Sequence, residues 1–283
     1  MPIQPISPVR PRTSPFDRRN VRPTRGRPLV AAAALASVAA AIPAAATTPC
    51  GDLDECRVTI EINASDGDIG FHFLGDADDL RELTVEGPDN GQVFQARAKG
   101  DLNDQLFTET FVESSEPPCT PDPEGYVTLE EFIARWAPGV YTFRGKSSNG
   151  VYLIGETQLT HLLPAAPADV AFDPRHNTIS WTPGSDLGEC ANASDIADLV
   201  DDGILPGFPA VVDFWDVVLA AEDGAGGVYT FAVRLPGGLF PLEVTVPDEF
   251  MDSVPFDAEL KIEVGAIGGN DNATFTEEEI GDE

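Results

Sequence analysis

The stretch of this chain best equipped for chemistry is Thr120-Pro121-Asp122-Pro123-Glu124-Gly125-Tyr126-Val127-Thr128-Leu129-Glu130-Glu131. With Gly125 as the turn residue, it offers side-chain oxygens at Asp122, Glu124, Thr128 and Glu131 and the backbone carbonyl of Tyr126. A hard divalent cation such as calcium takes such an oxygen set. Calcium is the one cofactor the sequence suggests, with Asp122, Glu124 and Glu131 as its metal ligands. The same residues also describe a plain turn followed by a helix cap, in which Glu131 bonds back to the Thr128 backbone.

Other chemistry is sparse. His72, His161 and His176 are the three histidines; none stands in H-E-x-x-H or beside another plausible ligand along the chain. His72 lies mid-strand between Phe71 and Phe73, which places it facing outward. The chain has no G-x-S-x-G elbow and no glycine-rich phosphate loop after a strand. Acids are so abundant that paired carboxylates single nothing out. Acidic runs at Asp76 to Asp79, Asp195 to Asp202 and Asn270 to Asn272 lack the alternation and glycine of a calcium loop and read as solvated turns. Trp136, Trp181 and Trp215 pattern as core rather than as sugar-stacking platforms. No catalytic residue is assigned, and the expectation is a protein that is not an enzyme.

Cys50, Cys56, Cys119 and Cys190 make an even set, as a disulfide framework does in an oxidising compartment. Cys50 with Cys56 would close a small loop and leave Cys119 with Cys190 as a staple between the halves, one of three pairings that four cysteines allow. Their spacing is poor for zinc.

The N-terminus supports export. Seven arginines lie between Arg10 and Arg27 against Asp17 alone, and an apolar run from Leu29 to Ala46 ends in Ala44-Ala45-Ala46. This reads as a signal peptide over residues 1–46, cleaved before Thr47 and leaving no stable membrane insertion; a retained anchor is the alternative. Arg18 and Arg19 stand as in a twin-arginine signal, without the residues that should follow. The whole chain has 17 bases and 48 acids. Beyond the signal 10 bases face 47 acids, a difference of −37 that repels nucleic acid and anionic lipid. The acids are spread along the chain, as in a protein kept soluble in a salty medium.

The elements holding these residues are strands. Val58, Ile60 and Ile62 alternate with Arg57, Thr59, Glu61 and Asn63, and Asp66-Gly67-Asp68 turns the chain into a returning strand, Ile69 to Leu74. Strands are expected at Arg81 to Glu86, Gln92 to Ala98, Leu106 to Glu113, Val140 to Gly145 and Val151 to Thr160. A short amphipathic helix near 128–136 opens on a Thr128/Glu131 capping box. Pro164-Ala165-Ala166-Pro167 is a stiff connector. Past it, an acidic insertion over 183–209 separates two short strands from an apolar one, Val211 to Ala220, and further strands follow to Ala266. The expected fold is all-β with two antiparallel domains, an N-terminal domain at 47–163 carrying the short helix and a C-terminal domain at 164–283.

The second half resembles a fibronectin type III domain. Asn177-Thr178-Ile179-Ser180-Trp181 followed by Pro183 is similar to that family's second strand with its core tryptophan. Val254-Pro255-Phe256-Asp257-Ala258-Glu259-Leu260 through Ala266-Ile267 is similar to its sixth strand and the turn before it. Leu260 stands where the family has its corner tyrosine, which removes a hydroxyl-to-backbone hydrogen bond. The resemblance implies a β-sandwich over about Pro167 to Asp282. The Thr120–Glu131 stretch resembles an EF-hand loop, but departs from it: Thr120 replaces the first aspartate, two prolines stiffen the loop, and Pro117-Pro118 precludes an entering helix. The first half is similar to the N-terminal β region of exported bacterial proteins that carry a fibronectin-like domain behind it, which brings no activity. The function these features imply is an exported, periplasmic, secreted or surface-associated scaffold or interaction module with a protein or surface partner. A calcium-dependent adhesion module, and a hydrolase or carbohydrate-binding protein with its site between the halves, are the rivals.

Overall fold

The computed structural model describes residues 50–119, 125–193 and 196–280. Strand β1 (Glu55–Asn63) buries Val58, Ile60 and Ile62 on one face, as its alternation demands. The turn through Asp66 and Gly67 returns the chain into β2 (Asp68–Glu86), whose 19 residues run through the expected gap at Asp76 to Asp79 without a break. A register shift between Asp76 and Leu80 lets this long strand change partners: its first part lies between β1 and β4 (Phe107–Glu113). Its second part lies between β3 (Gln92–Arg97) and β5 (Gly139–Ser147), which leads to β6 (Tyr152–Leu159). The acidic run at 76–79 is therefore strand rather than the solvated turn its composition suggests.

Helix α2 (Leu129–Arg135), preceded by a one-turn α1 (Leu102–Gln105), forms where the capping box predicts. Leu129, Phe132 and Ile133 point into the first-half core, and Trp136 at its end stacks on Phe71 with ring centroids 4.1 Å apart. Removing the Phe132 ring would cost about 3–5 kcal/mol, as for other buried aromatics.

In the second half, β7 (Ala168–Asp173) and β8 (Thr178–Thr182) join β11 (Glu243–Thr245) in a three-stranded antiparallel sheet, ordered β11-β8-β7. Strands β9 (Val212–Glu222), β10 (Val228–Pro236), β12 (Glu259–Gly268) and β13 (Ala273–Ile280) belong to the large sheet, and a one-turn α4 (Asp248–Met251) precedes β12. Trp181 and Trp215, with ring centroids 5.8 Å apart, centre a core built from both sheets.

The large sheet is mixed: β10-β9-β12-β13-β1-β2-β5-β6, with β3 and β4 also on β2. Among the described residues its one parallel ladder is β1 with β13, which joins strands of the two halves edge to edge. Asn272, fully buried beside that junction, accepts from the Ile60 N–H and donates to the carbonyls of Thr160 and Leu162. It is a structural clasp, whereas Asn270 and Asp271 before it are exposed in a 3-10 turn, as the solvated-turn reading of that run expects. The connector at 163–167 is likewise buried, with Thr274 Oγ1 donating to Pro164 and Thr276 Oγ1 to Pro167.

The acidic insertion holds a 3-10 turn (Gly188–Ala193) and α3 (Ile196–Asp201). Its Leu187, Cys190, Leu199 and Leu205 pack into the core of the first half, not the second. Apolar residues at these spacings drive the docking, and the bond Cys119–Cys190, Cα to Cα 5.0 Å, fastens it. Cys50–Cys56, Cα to Cα 5.5 Å, closes the small loop ahead of β1.

Candidate functional site

Glu131 is committed to the helix cap. Its Oε2 accepts from the Thr128 N–H at 3.3 Å, and its own N–H donates to Thr128 Oγ1 at 3.1 Å. Asp122 and Glu124, the other two expected calcium ligands, lie outside the described residues.

The convergence of ligating groups is elsewhere, on the face of the large sheet that turns away from the core. Alternation puts Glu61 on that face of β1 and His72 on the same face of β2. The hairpin register pairs Glu61 with Gly70 and Thr59 with His72, so Glu61 and His72 are diagonal neighbours. Glu113 of β4 stands opposite His72 on its other side. The segment after β4 continues along the same edge of β2: the Ser114 N–H donates to the Phe71 carbonyl, the Ile69 N–H to the Pro117 carbonyl and the Cys119 N–H to the Gly67 carbonyl, while the Phe71 N–H donates to Ser114 Oγ. That brings Glu116 onto the ring of His72.

His72 Nε2 lies 3.0 Å from Glu116 Oε1 and its Nδ1 lies 3.5 Å from Glu61 Oε2. One ligand atom from each of the three residues falls within 4.8 Å of the others. The outward face predicted for His72 is right, but solvent barely reaches it: the residue is 4 % exposed, with Glu61 and Glu116 at its ring nitrogens and Phe111 packed edge-on to the ring at 6.1 Å. The absence of a ligand beside any histidine, read along the chain, is corrected in the same way. Glu61 and Glu116 are 11 and 44 positions from His72, and only the hairpin and the continuation of β4 along β2 bring them together.

The electrostatics follow from burial. Loss of water, with the nearby charges of Glu116 and Glu113 and against the pull of His72, pushes the Glu61 carboxyl up to about 7. Asp68 is pushed to about 6, by burial first and then by Glu116. Burial works against a charged His72, yet the Glu116 hydrogen bond and the Glu61 charge outweigh it and hold the imidazole above its ordinary value. Further along the same face Glu263 rises to about 8, by burial and by its cross-strand neighbour Glu277. Three carboxyls that the sequence treats as ordinary surface acids, Glu61, Asp68 and Glu263, are thus part of a proton-hungry band.

The other two histidines serve structure. His161 donates from Nε2 to the Trp136 carbonyl at 2.8 Å, and His176 pairs with Asp173 in an exposed turn. An open hollow next to the connector is lined by Leu162, Phe208, Pro209, Val211 and Asp213, among others, and Asp213 is the one titratable side chain among its described lining residues. Among the described residues no helix is long and apolar enough to cross a membrane. No protein-family model and no curated protein matches the chain, so the reading of the site rests on its own geometry.

Proposed function

We propose that this chain is an exported, non-enzymatic scaffold or protein-interaction module. The observation that carries this reading is the junction between the halves. The parallel β1–β13 ladder, the Asn272 clasp and the Cys119–Cys190 bond make one stiff frame out of elements far apart in sequence. A frame of this kind holds two surfaces in fixed relation, which suits display or bridging. Two disulfides and no free cysteine among the described residues favour an oxidising compartment.

We read the second half as a fibronectin type III-like sandwich. The three-stranded sheet β11-β8-β7 against the run β10-β9-β12-β13, around Trp181 and Trp215, supports that resemblance. Within this reading the first half is a separate β domain with one capped helix, and the 183–209 insertion is a strap from the second domain onto the first.

The test has two arms. Offered a broad hydrolase panel, the purified protein is expected to give no turnover; activity abolished by a single side-chain change overturns the non-enzymatic reading. Cell fractionation is expected to find the chain outside the cytoplasm and beginning at Thr47. A cytoplasmic chain with Leu29 to Ala46 intact overturns the export reading.

A further inference from the structure

We propose that Glu61, His72 and Glu116 bind one divalent transition-metal ion of the zinc class, with solvent completing its coordination. The inference is independent of the scaffold reading and starts from the meeting of three ligating groups. His72 Nε2 lies 3.0 Å from Glu116 Oε1, and its Nδ1 lies 3.5 Å from Glu61 Oε2. A metal ion takes neutral imidazole and carboxylate as they stand.

Gly70 is a second, independent sign. It lies in the interior of β2, where glycine weakens a strand and marks a close approach. A Cβ there would sit 2.6 Å from His72 Nε2 and 2.8 Å from Glu116 Oε1. The missing side chain is the space in which these two groups meet.

No lysine or arginine among the described residues pairs with the cluster. Among the described residues, the ion pairs of Glu61 and of Glu116 are with His72 alone, and Arg57, the one base on β1, pairs with Glu55 and Asp271. Glu113 and Asp68 add further negative charge around the cluster.

The donor set chooses the ion. One nitrogen and two oxygens fall short of the six to eight oxygens calcium gathers, but match a four-coordinate ion with one open position. Bonds of about 2.0–2.2 Å would bring the ligand atoms to about 3.4 Å from one another. The atoms already lie within 4.8 Å. Glu61 and His72 are fixed on paired strands, so Glu116, exposed on the segment after β4, is the ligand that closes.

The experiment is equilibrium dialysis of the full chain, prepared without a polyhistidine tag, against zinc in millimolar calcium and magnesium, which saturate weak sites on an acidic surface. One zinc per chain is expected. Glu116→Gln should melt like the parent in chelator and bind zinc at least about tenfold more weakly. Cobalt(II) gives a second readout that does not depend on folding of a core variant: the parent should develop visible ligand-field absorption that zinc then bleaches, and Glu61→Gln should not. Less than one zinc per chain, or equal uptake by the parent, Glu116→Gln and Glu61→Gln, overturns the proposal.

Discussion

Two stretches of one sheet face handle buried acids in opposite ways. In the second half, Asp216 on β9 takes a two-pronged bond from Arg234 on β10, Nε to Oδ1 at 2.7 Å and Nη2 to Oδ2 at 2.5 Å, and Lys261 on β12 pairs with Glu277 on β13. Those cations are permanent at any physiological pH. In the first half Glu61, Glu113, Glu116 and Asp68 gather around His72, whose charge depends on conditions. The contrast teaches that the same alternation yields a self-sufficient pair where a permanent base faces an acid, as at Asp216 with Arg234, and a cation-seeking cluster where a histidine stands in for that base.

The largest expected effect comes from cutting the clamp at the end of the segment that carries Glu116 beside His72. Cys119→Ala with Cys190→Ala opens a loop spanning 71 positions and should lower unfolding free energy by about 4 kcal/mol in denaturant titration. Zinc affinity should fall with it, because Glu116 sits three residues from Cys119. A stable variant with unchanged affinity would show that the segment is held by other means.

Next in size is Asp216→Ala, which leaves the half-buried Arg234 guanidinium unpaired and should cost about 2 kcal/mol. Glu61→Gln, measured in chelator, relieves acid-acid repulsion and should leave the melting temperature unchanged or raised. Equal losses from the two substitutions would break the contrast.

The pH profile sharpens it further. Glu61, Asp68 and Glu263 hold protons in the folded protein up to about 7, 6 and 8, well above the ordinary carboxylate range. Between that range and about pH 8 the native state therefore binds more protons than the unfolded chain, and stability falls as pH rises. His72, raised as well, acts in the same sense: its contribution is present at low pH and lost as pH rises through its folded value. Melting temperature in chelator should be higher at pH 5 than at pH 8 by about 5 °C or more. Glu263→Gln should flatten that slope; a parent most stable at pH 8 would contradict it.

The smallest effect is at the helix cap. Glu131→Ala should cost about 1 kcal/mol, by the same amount with and without calcium. A calcium-dependent rise in melting temperature that disappears in this variant would restore the Thr120–Glu131 stretch as a metal loop.

Local pattern made much of this architecture readable. The alternation of β1, the capping box of α2 and the core places of Trp181 and Trp215 follow from residue types within a few positions. Half of the site was readable too: the 63–68 turn fixes a register in which Glu61 lies diagonal to His72, both outward. Glu116 was not, because it lies in a coil whose path depends on Ser114, Cys119 and the distant insertion. The parallel β1–β13 ladder was hidden for the same reason: two edges meet that are separated by most of the chain, and no periodicity encodes that meeting. The insertion looked like an acidic loop because its four buried apolar side chains are spaced among acids and glycines.

The account turns on whether the imidazole of His72 is where the missing positive charge is supplied. With three histidines in the chain, long-range proton–nitrogen NMR resolves each ring, and the decisive spectrum is that of His72 at neutral pH before and after one equivalent of zinc. A His72 nitrogen resonance displaced by the metal, with His161 and His176 unmoved, is the predicted result. A His72 ring that does not respond, or three rings that shift alike, contradicts it.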